Sequence, residues 1–74
     1  MKMTVKNLIM AWLNGWGNEA QIIQTAHINA TEESMWEWLV TKCDEQMNNT
    51  ELELEEMAEN MAIELMEQSR LFNR

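Results

Sequence analysis

Residues 50–72, TELELEEMAENMAIELMEQSRLF, contain the strongest local helix signal in the chain. The first four of them, Thr50-Glu51-Leu52-Glu53, have the form of a capping box. In that motif a threonine hydroxyl accepts from the N–H three residues on, and the glutamate there reaches back to the cap. A helix is therefore expected to begin here and run to residue 71, about 30 Å at 1.5 Å per residue. Within it Leu54, Ala58, Met61, Leu65, Gln68 and Phe72 are spaced four, three, four, three, four. That spacing makes a coiled-coil-like seam, with Met57 and Ala62 beside it. Arg70 and Arg74 fall at the negative end of the helix dipole. A seam of this kind must be buried, so the rest of the chain has to supply helices that pack on it.

The upstream sequence has the periods to do so. Val5, Leu8, Ile9, Trp12, Leu13 and Trp16 recur at threes and fours and predict a helix over residues 5–14, capped by Thr4 and closed by Gly15 and Gly17. Residues 18–28 carry a weaker stripe of Ala20, Ile23, Ala26 and His27, with Ile22 beside it. Asn29-Ala30-Thr31 reads as a turn ending in an N-cap. A third helix is expected over residues 32–47, with acids in its first turn and a stripe of Trp36, Leu39, Val40, Cys43 and Met47. Asn48-Asn49 breaks it. The expected fold class is all-α: one domain over residues 1–74, a compact bundle of three to four helices with short connections and a long C-terminal helix.

Composition excludes several classes. The 74 residues carry no proline, two glycines, one cysteine and a net charge of −8, and 46% are hydrophobic. That is too apolar for a disordered acidic tail. One cysteine cannot form an internal bridge, so a reducing, cytoplasmic setting is expected. No apolar run approaches the ~20 residues that span a bilayer. The opening residues lack a small-residue cleavage site and do not read as a signal peptide.

No metal or cofactor is expected. There is no CxxC, no HExxH and no calcium loop, and His27 reads as a helix-end or turn histidine. Cys43, on an apolar stripe, reads as a small buried hydrophobe with its thiol pKa pushed up. One histidine, no tyrosine and no glycine-rich phosphate cradle leave few catalytic parts, so no enzyme is expected and no catalytic residue is assigned. The second and third helices are spaced like a helix-turn-helix. Yet the would-be reading helix carries Glu32, Glu33 and Glu37 and only Lys42, where DNA contact needs cations. Direct nucleic-acid binding is therefore not expected, and neither is binding to an anionic membrane.

The acids carry the functional expectation. All thirteen lie between Glu19 and Glu67, with Lys42 the single base in that span. On a helical wheel Glu53, Glu56, Glu64 and Glu67 fall opposite the seam of the last helix, flanked by Glu55 and Glu59. An ordinary solvated face mixes signs, with lysines four residues from glutamates. Here no lysine follows Glu45, and the Glu55–Glu59 pair repels. Trp38 points away from the expected stripe of the third helix, beside Ser34, Lys42 and Glu45. It is either a second core residue or a partly exposed anchor. The expected contact set is Glu53, Glu56, Glu59, Glu64, Glu67, Glu37, Glu45 and Trp38. Leu52, Ile63 and Met66 form a second apolar patch off the seam.

In size and acidity the chain resembles the small inhibitors with which bacteriophages block host defence or transcription complexes, anti-CRISPR proteins and DNA mimics among them. The resemblance implies an inhibitor or modulator that occupies a basic, nucleic-acid-binding surface of a larger protein or nucleoprotein complex. The alternative is a structural module that forms a helical homodimer. Less favoured is a helix-turn-helix-like regulator.

Overall fold

A computed structural model describes residues 4–48 and 51–72, without the side chains of residues 69–72. Four α-helices and no strands appear among the described residues: α1 (Val5–Ala11), α2 (Glu19–Ala26), α3 (Glu32–Met47) and α4 (Leu54–Phe72). The radius of gyration is 11.6 Å, against about 11 Å expected for a folded chain of this length. The all-α bundle expected from sequence is the one observed.

Three helix starts are fixed by side chains that accept from an orphan backbone N–H. Thr4 accepts from Asn7 at 3.2 Å, Asn18 from Gln21 at 3.2 Å, and Thr31 from Ser34 at 3.1 Å. The turn from α1 to α2 is built around Trp12. After α1 the chain continues through a π-helical stretch, Trp12–Trp16, in which Gly15 sits at φ 89°. A side chain is strained at that φ, so glycine suits the position. Two residues on, Gly17 lies against the indole of Trp12, where a Cβ would run into ring atom Cδ1. The same indole donates through Nε1 to Glu19 at 2.9 Å, which anchors the first turn of α2. His27 then closes α2 in the left-handed conformation, φ 57°, with its N–H directed at the carbonyls of Ile23 and Gln24.

The core is a single cluster drawn from all four helices. Leu8 and Ile9 come from α1, Ile22 and Ala26 from α2, and Met35 and Leu39 from α3. From α4 come Ala58, Met61, Ala62 and Leu65. The seam of α4 is thus buried at its centre, with Met57 buried beside it. α1 makes its most extensive contact with α4. α3 runs antiparallel to α4, because Lys42 pairs with Glu64 and Gln46 accepts from Asn60 at 3.1 Å.

Several expectations need correction. α4 begins at Leu54, where the carbonyl of Glu53 accepts from Met57 at 3.0 Å, so the helix starts about one turn later than the capping box implied. Thr50 lies outside the described residues, as do Asn49 and Arg74, and the side chains of Arg70 and Phe72 are not described. Leu54, at the open end of the seam, is 38% exposed. Trp16 is 83% exposed, because the π-helical stretch and Gly15 turn it off the α1 stripe. In α2 the core residues are Ile22 and Ala26, while Ala20 faces solvent. In α3 Leu39 of the expected stripe is buried together with Met35, while Trp36, Val40 and Met47 of that stripe are exposed.

Candidate functional site

α4 presents its solvent side as a mixed apolar and acidic surface. Ile63 and Met66 are 52% and 46% exposed, Ile63 opposite the buried Ala58 and Leu65 and Met66 at the flank of that buried side. Glu53, Glu55, Glu56, Glu59 and Glu67 are all exposed around them. A groove of about 520 Å³ opens between this face and the start of α1, lined by the apolar Val5, Ala62, Ile63 and Met66 and by the polar Thr4, Lys6, Glu59 and Glu67. Leu52, just before α4, is half-buried and outside that lining.

Of the described lysines, Lys6 stands at the edge of this face, in the lining of the groove, and Lys42 lies between α3 and α4. Lys6 Nζ lies 3.0 Å from Glu55 Oε1 and ties α1 to α4. The hydrogen bond that Lys6 donates to Glu55, reinforced by the nearby charges of Glu55 and Glu59, raises the Lys6 pKa above the usual lysine value. Lys42 Nζ lies 3.2 Å from Glu45 Oε2 and 3.3 Å from Glu64 Oε2. Its pKa is raised as well, first by the hydrogen bond to Glu45 and then by that to Glu64. Glu53, Glu56, Glu59, Glu67 and Glu37 make no ion pair among the described residues.

The expected contact set therefore divides in two. Glu56, Glu59 and Glu67 are exposed on α4, and Glu53 is exposed just before its first turn. Glu64 and Glu45 converge on Lys42: the Glu64 pair links α4 to α3, while Glu45 pairs with Lys42 within α3. Glu37 is exposed on α3, away from the α4 face. Trp38 is partly buried and packs against the core, so it is a core residue rather than an exposed anchor. With Ile28, Met35 and Leu65 it lines a smaller cavity of about 250 Å³. Sequence periodicity missed the outward turn of Trp36, Val40 and Met47, which are 51%, 39% and 62% exposed. Cys43, between them in register, is half-buried, and burial followed by the charge of Asp44 pushes its thiol pKa up.

Among the described residues no group of three or more His, Cys, Asp or Glu side chains is placed to hold a metal ion. No helix among them is long and apolar enough to cross a membrane. No protein-family model, curated protein or solved structure gives a significant match to the chain.

Proposed function

We propose that the protein is a small acidic interaction module, an inhibitor or modulator that covers a basic surface on a larger protein or nucleoprotein complex. The reading rests on four exposed carboxylates that make no salt bridge among the described residues, Glu53 just before α4 and Glu56, Glu59 and Glu67 on it, with Ile63 and Met66 exposed on the same helix and Lys6 alone at the edge of their groove, paired to Glu55. Interfaces of this type combine an apolar centre with a charged surround. The apolar pair supplies buried area and the carboxylates supply steering and register. A surface that normally binds nucleic-acid phosphates offers matching cations, since DNA carries one charge per ~1.7 Å of axis. The mechanism is steric and electrostatic, with no turnover. It fits the phage-type inhibitors that the chain resembles in size and charge, and it places the protein in its host's cytoplasm.

Affinity capture from host lysate tests it, comparing the wild type with a Glu53→Gln, Glu56→Gln, Glu59→Gln, Glu67→Gln variant. Glu64 is left in place because it holds Lys42. The wild type is expected to retain a basic protein that elutes as salt rises, and the variant to lose it. Retention of the same proteins by both chains, insensitive to salt, would refute the proposal.

A further inference from the structure

We propose that the outer side of α3 is a second docking surface, and that it seats an amphipathic helix with lysine or arginine along one flank. Trp36, Val40, Cys43 and Met47 are spaced four, three, four, so they form one stripe along α3. The three larger members are 51%, 39% and 62% exposed. Met35 and Leu39 fill the core from the neighbouring arc and Cys43, at the inner edge of the stripe, packs against it, so the fold leaves Trp36, Val40 and Met47 uncovered. At 1.5 Å per residue the stripe is about 16 Å long, which matches three turns of a partner helix. Its four-three-four spacing is the one that knobs from a second helix fit. Cys43 and Met47, with sulfurs 3.8 Å apart, give its lower half a polarizable surface that adapts to varied side chains.

Charge selects the occupant. Glu33, Glu37 and Asp44 are exposed and run beside the stripe at spacings of four and seven, an acidic ridge along its length. Lys6 and Lys42, the described lysines, are held by glutamates elsewhere in the bundle. A second copy would bring the same acidic ridge and a further net charge of −8. A cationic flank complements the ridge, and a helix laid in register on an apolar stripe is an established mode of recognition. This proposal does not depend on the α4 face, and the two surfaces can be tested separately.

The probes are two synthetic 15-residue helical peptides with leucine at the seam positions, one flanked by lysine and one by glutamate. Binding to the full chain is followed by NMR shift mapping and by protection of Cys43 from alkylation. The lysine peptide is expected to shift Trp36, Val40 and Met47 and to protect Cys43. The glutamate peptide should do neither. Glu33→Gln, Glu37→Gln, Asp44→Gln should weaken the lysine peptide about tenfold at low salt, given three exposed ion pairs removed. Val40→Asp should abolish binding. A Glu33→Lys, Glu37→Lys, Asp44→Lys chain, which leaves the core untouched, should reverse the preference towards the glutamate peptide. Gln substitution of Glu53, Glu56, Glu59 and Glu67 should leave the α3 shifts in place. Shifts confined to Ile63 and Met66, equal binding of both peptides, or a dimer in sedimentation that Val40→Asp disperses would each overturn the proposal.

Discussion

Single residues set the geometry of this chain where the helical period cannot. Gly17 is the sharpest case. The indole of Trp12 occupies the space a Cβ would take, and a Cβ there would also stand 3.0 Å from the Trp12 Cα. Gly17→Ala must therefore push the ring away and loosen its bond to Glu19. A loss of about 1–3 kcal/mol is expected by chemical denaturation, the range for steric overpacking. No loss would show that the α1–α2 turn is not built on that contact. Cys43 gives a second prediction at this scale. Burial and Asp44 raise its thiol pKa, so less thiolate is present at neutral pH than for a free cysteine. Alkylation of the folded chain at pH 7–8 is expected to run slower than that of a model thiol and to accelerate in denaturant. Equal rates would contradict the half-buried placement. The sign also fixes a stability trend. The raised folded-state pKa means that this thiol's contribution is intact below the ordinary cysteine range and is lost as pH climbs through the higher folded value.

Among the elements, α4 divides most clearly into a buried side and a solvent side. Met61 is fully buried, whereas Met66 is 46% exposed on the same helix. Met61→Ala is expected to cost about 2–5 kcal/mol and Met66→Ala no more than about 0.5 kcal/mol in thermal unfolding. Chains of this size hold on the order of 4–11 kcal/mol in total, so the first change removes a large share. Similar losses at both sites would mean that Met66 is covered. This two-sidedness was legible from the period alone, as were the bounds of α3 and its Thr31 cap. The rotation of α3 was not. That helix carries two adjacent apolar arcs that share Leu39, one through Met35, Trp38 and Leu39 and the other through Trp36, Leu39, Val40, Cys43 and Met47. Counting apolar residues favours the second, while packing buries the first and leaves Trp36, Val40 and Met47 exposed. The missed signal was polar: Lys42 and Gln46 in α3 match Glu64 and Asn60 in antiparallel register on α4. The start of α4 was displaced for a related reason. Several acidic tetrapeptides follow Thr50 in succession, and the sequence does not say which of them opens the helix.

The whole molecule is a small bundle whose described lysines serve its own cross-links, so most of its acidic charge stays on the surface. Of the expected contact set, Glu45 and Glu64 turned out to brace Lys42 and Trp38 joined the core. No one-dimensional pattern could separate those from Glu56, Glu59 and Glu67, because all sit on helices of the same acidity. What separates them is which neighbour lies across the groove, a property of the assembled bundle. The charge left over also weighs against the homodimer, since each copy brings a net charge of −8. With screening lengths of about 8 Å at physiological ionic strength, the field of the α4 face acts over the last approach of a partner. The central claim is thus kinetic as well as structural. The direct test is the association rate with the captured basic partner, measured from low to physiological salt for the wild type and for the chain with Gln at 53, 56, 59 and 67. The wild-type rate is expected to fall steeply with salt, and the variant to be slower at low salt with a flatter slope. Identical rates and slopes for the two chains would contradict it.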